Sequence, residues 1–225
     1  GESRDYRSLD GEWRFRFDGD DRGVSEGWYE PGFDDTAWRE VPVPLPWDLY
    51  DTPGFGTYDG STYGDGTAFR NGVAWYRTEF TADESWDDRL VRLNFLGAAY
   101  MAWVFLDGTL VGQHEGGNTP FALDVSDVVR PGETNTLAVR VFRRPSWRDT
   151  ASLRLPVVDA SEVPGRPVDY WPYAGLTRSV YLEATPRVTV SKLLADARDG
   201  TLSVRAVVEN RSEETVSRLL TVDPG

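Results

Sequence analysis

The single histidine of this 225-residue chain, His114, stands beside Glu115 and ahead of Gly116-Gly117. An imidazole next to a carboxylate can move protons near neutral pH. One His and no Cys give no support to a Ser-His-Asp machine. They also exclude thiolate catalysis, disulfides and Cys- or His-rich metal sites. His114 is therefore expected to be a hydrogen-bonded structural residue at a strand end. The Gly pair is expected to supply backbone with φ > 0 that a Cβ would obstruct. Asp59-Gly60-Ser61 and Asp65-Gly66 invite a calcium reading, but the spacing and terminal Glu of an EF-hand loop are missing. Asp-Gly is moreover a common turn pair. Arg70, Arg77 and Arg178 could each grip a carboxylate through two parallel hydrogen bonds, although ion pairs inside the fold are the expectation. No metal and no cofactor are expected.

These residues must be held by strands. No window shows a clear 3.6-residue apolar period free of Gly or Pro, whereas period-two alternation recurs throughout. Glu12–Phe17 places Trp13, Phe15 and Phe17 on one face. Val73–Phe80, Leu90–Phe95, Met101–Leu106, Thr136–Phe142 and Arg178–Leu182 read as further strands, rich in Val, Leu and aromatics. Asp107-Gly108 and Asp199-Gly200 carry the type I′ hairpin signature. The fold class expected is all-β, a β-sandwich whose core is filled by Trp, Tyr and Phe. Asp48–Gly72 and Pro145–Pro167 lack strand character, and loops of that length are usually functional or disordered. A domain boundary is expected near Thr185-Pro186, dividing 1–185 from 186–225. Beyond it Arg187–Ala195, Thr201–Glu209 and Val216–Val222 look like three strands of a second module.

Charge narrows the partners. The chain holds 37 acidic against 24 basic residues, a net charge of −13, and Lys192 is its one lysine. Such a surface repels phosphate backbones, so no nucleic acid is expected. The Lys-poor, Asp-rich composition fits adaptation to high salt or a coding bias, and both stay open. The longest uncharged stretch, Leu93–Leu106, is too short to span a bilayer, which takes roughly 20 residues. No membrane partner is expected. No signal peptide is visible, which favours a soluble, cytoplasmic protein, although the start at Gly1 leaves a removed leader open.

Several motifs then fall in a recognisable order. Leu9-Asp10-Gly11-Glu12-Trp13 is followed by Trp28, Phe33-Asp34-Asp35-Thr36-Ala37-Trp38 and Val41-Pro42-Val43-Pro44. Trp75-Tyr76-Arg77, Val104-Phe105-Leu106-Asp107-Gly108, His114–Phe121 and Tyr173-Ala174-Gly175-Leu176-Thr177-Arg178-Ser179-Val180 come next. Together they resemble the N-terminal sugar-binding jelly roll of glycoside hydrolase family 2, which includes β-glucuronidases, β-galactosidases and β-mannosidases. The resemblance covers roughly residues 9–185 and implies a jelly-roll β-sandwich of the galactose-binding-domain type. Residues 186–225 resemble the beginning of that family's immunoglobulin-like domain, cut short of its usual seven or so strands.

The resemblance also implies what is missing. In the family a (β/α)8 barrel, typically about 250 residues long, holds two catalytic glutamates about 5–5.5 Å apart. One of them follows an Asn, and this chain has no Asn-Glu dipeptide. No residue here is expected to be catalytic, and the chain alone is expected to be inactive. Asp169 matches a family aspartate that reaches into the barrel's pocket and binds the terminal sugar's hydroxyls. Charge-assisted bonds of that kind are roughly twice as strong as neutral ones. Tyr170 and Trp171, with Tyr173, are expected to stack on the sugar ring or pack against the barrel. The partners implied are a terminal β-linked sugar, the catalytic barrel and a possible second copy of the chain. The rival reading is a free-standing carbohydrate-binding module, which requires an exposed aromatic platform and measurable sugar affinity.

Overall fold

The computed structural model describes residues 4–50, 72–143, 173–217, 219 and 221. Fourteen strands account for most of them. They are β1 (Asp5–Ser8), β2 (Gly11–Phe17), β3 (Arg39–Val43), β4 (Val73–Thr81), β5 (Arg89–Phe95), β6 (Ala98–Ala99) and β7 (Met101–Leu106). Then follow β8 (Thr109–Glu115), β9 (Phe121–Asp124), β10 (Thr134–Phe142), β11 (Gly175–Leu176), β12 (Val180–Pro186), β13 (Val188–Arg198) and β14 (Thr201–Asn210). Among the described residues the helical pieces are two single 3-10 turns, Trp47–Leu49 and Glu84–Trp86.

An all-β sandwich results. One antiparallel sheet runs β1-β12-β5-β9, and the facing sheet runs β3-β2-β4-β10-β7-β8. Alternation along the strands of the larger sheet divides their side chains between two apolar layers. Trp13, Phe15, Ala74, Tyr76, Phe80, Val104, Leu137 and Val139 point into the sandwich and meet Leu93, Phe95 and Leu182 from the smaller sheet. Val73, Trp75, Met101, Trp103, Phe105 and Phe142 point the other way and form a second layer with Trp28 and Trp38. Strands buried on both faces read as near-continuous apolar runs, which is why β7 is buried at all six positions.

The cover over the outer layer is the connection from Asp18 to Trp38. It is pinned by Asp18, itself buried, whose carboxylate accepts the Arg22 and Gly23 backbone N–H groups, each at 2.8 Å, and Trp75 Nε1 at 3.0 Å. Both expected hairpins form at the Asp-Gly pairs. Asp107 and Gly108 have φ of 47° and 81°, Asp199 and Gly200 have 50° and 75°, and the flanking residues pair directly.

Two expectations need correction, and some strands are missed. The strand expected over Arg178–Leu182 starts only at Val180, because the Arg178 N–H is already bonded to the Gly97 carbonyl. Val216–Val222 shows no strand at its described residues; β13 and β14 pair with each other alone among the described residues. The β1, β3 and β9 strands go unread as elements in the sequence, being short or polar enough to show little alternation. Pro145–Pro167 and most of Asp48–Gly72 lie outside the described residues.

Candidate functional site

The motifs that mark this chain are, for the most part, its fasteners. Asp10 accepts the Val180 N–H at 3.0 Å, and Trp13 Nε1 donates to the Leu9 carbonyl at 2.7 Å, so the first motif is tied to the last. Arg77 is buried. Its Nε donates to Asp35 at 2.7 Å, and one terminal nitrogen donates to the Trp28 carbonyl at 2.6 Å and the Glu30 carbonyl at 3.2 Å. Its guanidinium also lies 5.6 Å from the Phe33 ring centroid. His114 stacks on Phe121 with centroids 4.3 Å apart, and its Nε2 lies 3.0 Å from Thr119 Oγ1. Gly116 has φ of +128°, and a Cβ on Gly117 would come within 2.8 Å of the Ala99 side chain. Arg178 is exposed. Arg70, Asp59-Gly60-Ser61 and Asp65-Gly66 lie outside the described residues, as do Asp169, Tyr170 and Trp171.

The described part of the segment that follows Asp169 is anchored on several sides. Tyr173 is exposed, whereas Ala174, Gly175 and Leu176 are buried. Gly175 and Leu176 pair with Ala99 and Ala98 of β6. On the opposite side the Trp47 N–H donates to the Ala174 carbonyl at 2.9 Å and the Leu45 N–H to the Leu176 carbonyl at 3.1 Å. The Ala174 N–H donates to the Asp48 carboxylate at 2.9 Å. Thr177 N–H closes the strap onto the Gly97 carbonyl at 3.1 Å. Ala174, five residues after Asp169, is therefore a fixed point of the sandwich.

Beneath the strap lies a buried polar group that the sequence reading passed over. The Asp48 side chain has no exposure and sits 3.7 Å from an Arg143 guanidinium nitrogen that is itself almost fully buried. The Tyr50 hydroxyl donates to the Tyr76 hydroxyl at 3.0 Å. Burial pushes both phenols above their ordinary pKa, so both stay protonated through the physiological range. The local hint was slight: an acid between Trp47 and Leu49 in a Pro-containing run. Its partners Arg143 and Ala174 are far along the chain.

Elsewhere, a groove of about 1050 Å³ lies where β12 passes into β13, lined by Asp88, Arg89, Arg187 and Arg211 among others. Its arginines are engaged, Arg187 with Asp88 at 3.0 Å, Arg211 with Glu209 at 3.4 Å, and Arg89 with Asp5. Among the described residues no group of three or more acids and histidines is arranged to hold a metal ion. No helix there is long and apolar enough to cross a membrane.

Comparison with known proteins agrees with this architecture. The family model for the glycosyl hydrolases family 2 sugar binding domain matches residues 6–186. A β-galactosidase from Priestia megaterium is 31% identical across 95% of this chain and 21% of its own length. A β-glucuronidase from Paenibacillus borealis is 30% identical across 81% of this chain and 30% of its own. The structure of Ruminococcus gnavus β-glucuronidase in complex with D-glucuronic acid superposes with a TM-score of 0.70 at 26% identity, covering 92% of this chain and 35% of that one. The chain thus spans between a fifth and about a third of the length of these relatives. With the family model matching residues 6–186 and the sandwich superposing over 92% of the chain, the chain belongs to glycosyl hydrolase family 2, as that family's sugar-binding domain.

Proposed function

We propose that this domain forms one wall of the sugar pocket in a retaining β-glycosidase acting on terminal β-D-glucuronides or β-D-galactosides. The bond-breaking carboxylates would reside in a barrel outside this chain. Asp169 would accept hydrogen bonds from the terminal sugar's hydroxyls, with Tyr170 and Trp171 at the lip of the pocket. The observation that carries this reading is the strap at Ala174–Leu176, locked between β6, Trp47 and Asp48. A loop that must present a carboxylate to a substrate needs a rigid base, since a misplacement of about 1 Å can cost about 100-fold in rate. The D-glucuronic acid complex of the R. gnavus enzyme supports a hexuronic acid as one candidate sugar.

Residues 186–225 would open an immunoglobulin-like sandwich. In the β13–β14 ladder Val188, Val190, Leu193, Ala195 and Ala197 share one face with Leu202, Val204, Ala206 and Val208. A bulge between Val190 and Lys192 keeps that face in phase where the sequence spacing changes from two to three. Leu193, Leu202 and Val208 are exposed. A second packed sheet would cover this face, and two strands alone are marginal in water.

Two measurements test the proposal. The purified 225-residue chain should not turn over aryl β-glucuronides or β-galactosides; measurable hydrolysis would sink the division of labour. In the full-length glycosidase Asp169→Ala should raise KM and lower kcat, with kcat/KM falling about 10- to 100-fold, as expected for a charge-assisted hydrogen bond. Wild-type kinetics would remove Asp169 from the pocket.

A further inference from the structure

Arginine in this fold is usually matched to an acid. Arg77 pairs with Asp35 at 2.7 Å, Arg140 with Asp21 at 2.8 Å, Arg130 with Asp107 at 3.1 Å and Arg187 with Asp88 at 3.0 Å. Arg178 departs from that pattern. It is exposed, and its guanidinium has no hydrogen bond or ion pair among the described residues. Its stem is nonetheless held in place. The Thr177 and Arg178 N–H groups both donate to the Gly97 carbonyl, at 3.1 and 3.3 Å, and a Cβ on Gly97 would lie 3.3 Å from both Cγ and Cδ of Arg178. The stem thus lies across bare glycine backbone while the charge stays in water. Asp10, the acid tied to the start of β12, uses Oδ1 on the Val180 N–H at 3.0 Å and makes no ion pair with Arg178.

The flanks of this cation are apolar. Leu96, 37% exposed, stands beside it, its N–H donating to the Ser179 carbonyl at 3.0 Å. Along the other edge of the strap the Leu45 and Trp47 N–H groups bond Leu176 and Ala174, which lines that edge with half-buried Leu45 and Pro46. Tyr173, 45% exposed, heads the strap. Burying an arginine without an acceptor is strongly unfavourable, so whatever covers this patch must bring an acid. A carboxylate matches the guanidinium fork through two parallel hydrogen bonds. The rest of the covering surface must be apolar to match the rim. A uronic acid would satisfy the charge, but its hydroxyls would leave Leu45, Pro46 and Leu96 unmatched.

The relatives extend far beyond the length of this chain, which covers 21% and 30% of two of them. We propose that Arg178 and its apolar rim form the docking point of the sandwich on the catalytic domain, whose facing surface supplies the carboxylate. This rests on the reading above that the bond-breaking barrel lies outside the chain; it does not rest on Asp169.

Hydrogen–deuterium exchange with mass spectrometry, on the 225-residue chain and on the full-length glycosidase, tests the docking. Peptides covering residues 96–97 and 177–179 should exchange about fivefold or more slowly in the full-length enzyme, and Arg178→Glu should abolish that difference. Arg178→Lys, which keeps the charge without the fork, should retain part of it. In the 225-residue chain Arg178→Gln should leave the urea midpoint within about 0.2 M of wild type, because no partner is lost there. Equal exchange in the two proteins, protection that survives Arg178→Glu, or a lowered midpoint in the 225-residue chain overturns the docking role. So does a loss of β-glucuronide but not β-galactoside turnover with exchange unchanged, which would assign Arg178 to a substrate carboxylate. Should Arg178→Glu fail to fold, Arg178→Gln in the full-length enzyme is read by the same criteria. Wild-type kinetics for Asp169→Ala, beside protection that depends on Arg178, would remove the sugar-contact reading and uphold the docking.

Discussion

Alanine at Gly175 should cost about 3–5 kcal/mol of stability, the sum of a backbone and a steric penalty. Gly175 has φ of +101°, a region L-residues rarely adopt, and a Cβ there would lie 2.2 Å from the Tyr76 hydroxyl oxygen and 3.3 Å from the Trp47 nitrogen. A flexible side chain could retreat from such a contact. Tyr76 cannot, because it has no exposure and its ring packs 4.9 Å from Phe15, centroid to centroid. Either β11 leaves β6, or the core opens to release the tyrosine. Domains of this kind hold about 5–15 kcal/mol in total, so the urea midpoint should fall steeply and the Ala174 N–H should lose exchange protection. Tyr76→Phe in the Gly175→Ala background removes the oxygen and should recover part of the loss. An unchanged midpoint for Gly175→Ala would show that the strap does not anchor where the structure puts it.

The second large effect concerns Arg77. Its guanidinium satisfies the Trp28 and Glu30 carbonyls and pairs with Asp35, which retains a quarter of its side-chain exposure. Arg77→Ala leaves those acceptors without their donor beneath the Asp18–Trp38 cover, and a loss of about 3 kcal/mol is expected. Partial solvent access at Asp35 holds the figure at the lower end of the range for buried pairs. Arg77→Lys keeps the charge but not the fork of donors, so it should recover only part of the loss. Trp28, Trp38 and Trp75 lie in the covered layer, so their fluorescence should shift to the red as the cover loosens. An Arg77→Ala protein with wild-type emission and stability would mean that the aromatic layer holds the cover unaided.

Both predictions turn residues of the family motifs into structural parts. Trp75-Tyr76-Arg77 supplies, in three consecutive residues, a side chain for the outer layer, one for the inner core, and one for the ion pair that joins the cover to the sheet. The motif is therefore a junction between layers. The same holds for Phe33-Asp34-Asp35-Thr36-Ala37-Trp38, in which Asp35 meets Arg77 and Trp38 packs 5.2 Å from Trp28 by ring centroid. In the described residues these motif side chains face one another. The motifs announced the family because they build its frame.

How far each feature could be read depends on the range of the forces that make it. Strand identity is a local property: alternation puts every second side chain on one face, and Gly11–Phe17, Val73–Thr81 and Thr134–Phe142 show it within a few residues. The hairpins at Asp107-Gly108 and Asp199-Gly200 are local too, because two consecutive residues with φ > 0 are enough to reverse the chain. These features, with the order of the motifs, determined an all-β sandwich of this family without reference to coordinates. The sheet order, the second apolar layer under Asp18–Trp38 and the contacts of Asp48 with Arg143 and Ala174 had no local mark. Each arises from contacts between residues many tens of positions apart, and an acid next to a tryptophan has the same sequence whether it faces water or a buried guanidinium. Only packing settles which one it faces, because burial is a property of the neighbours a side chain acquires when distant strands come together.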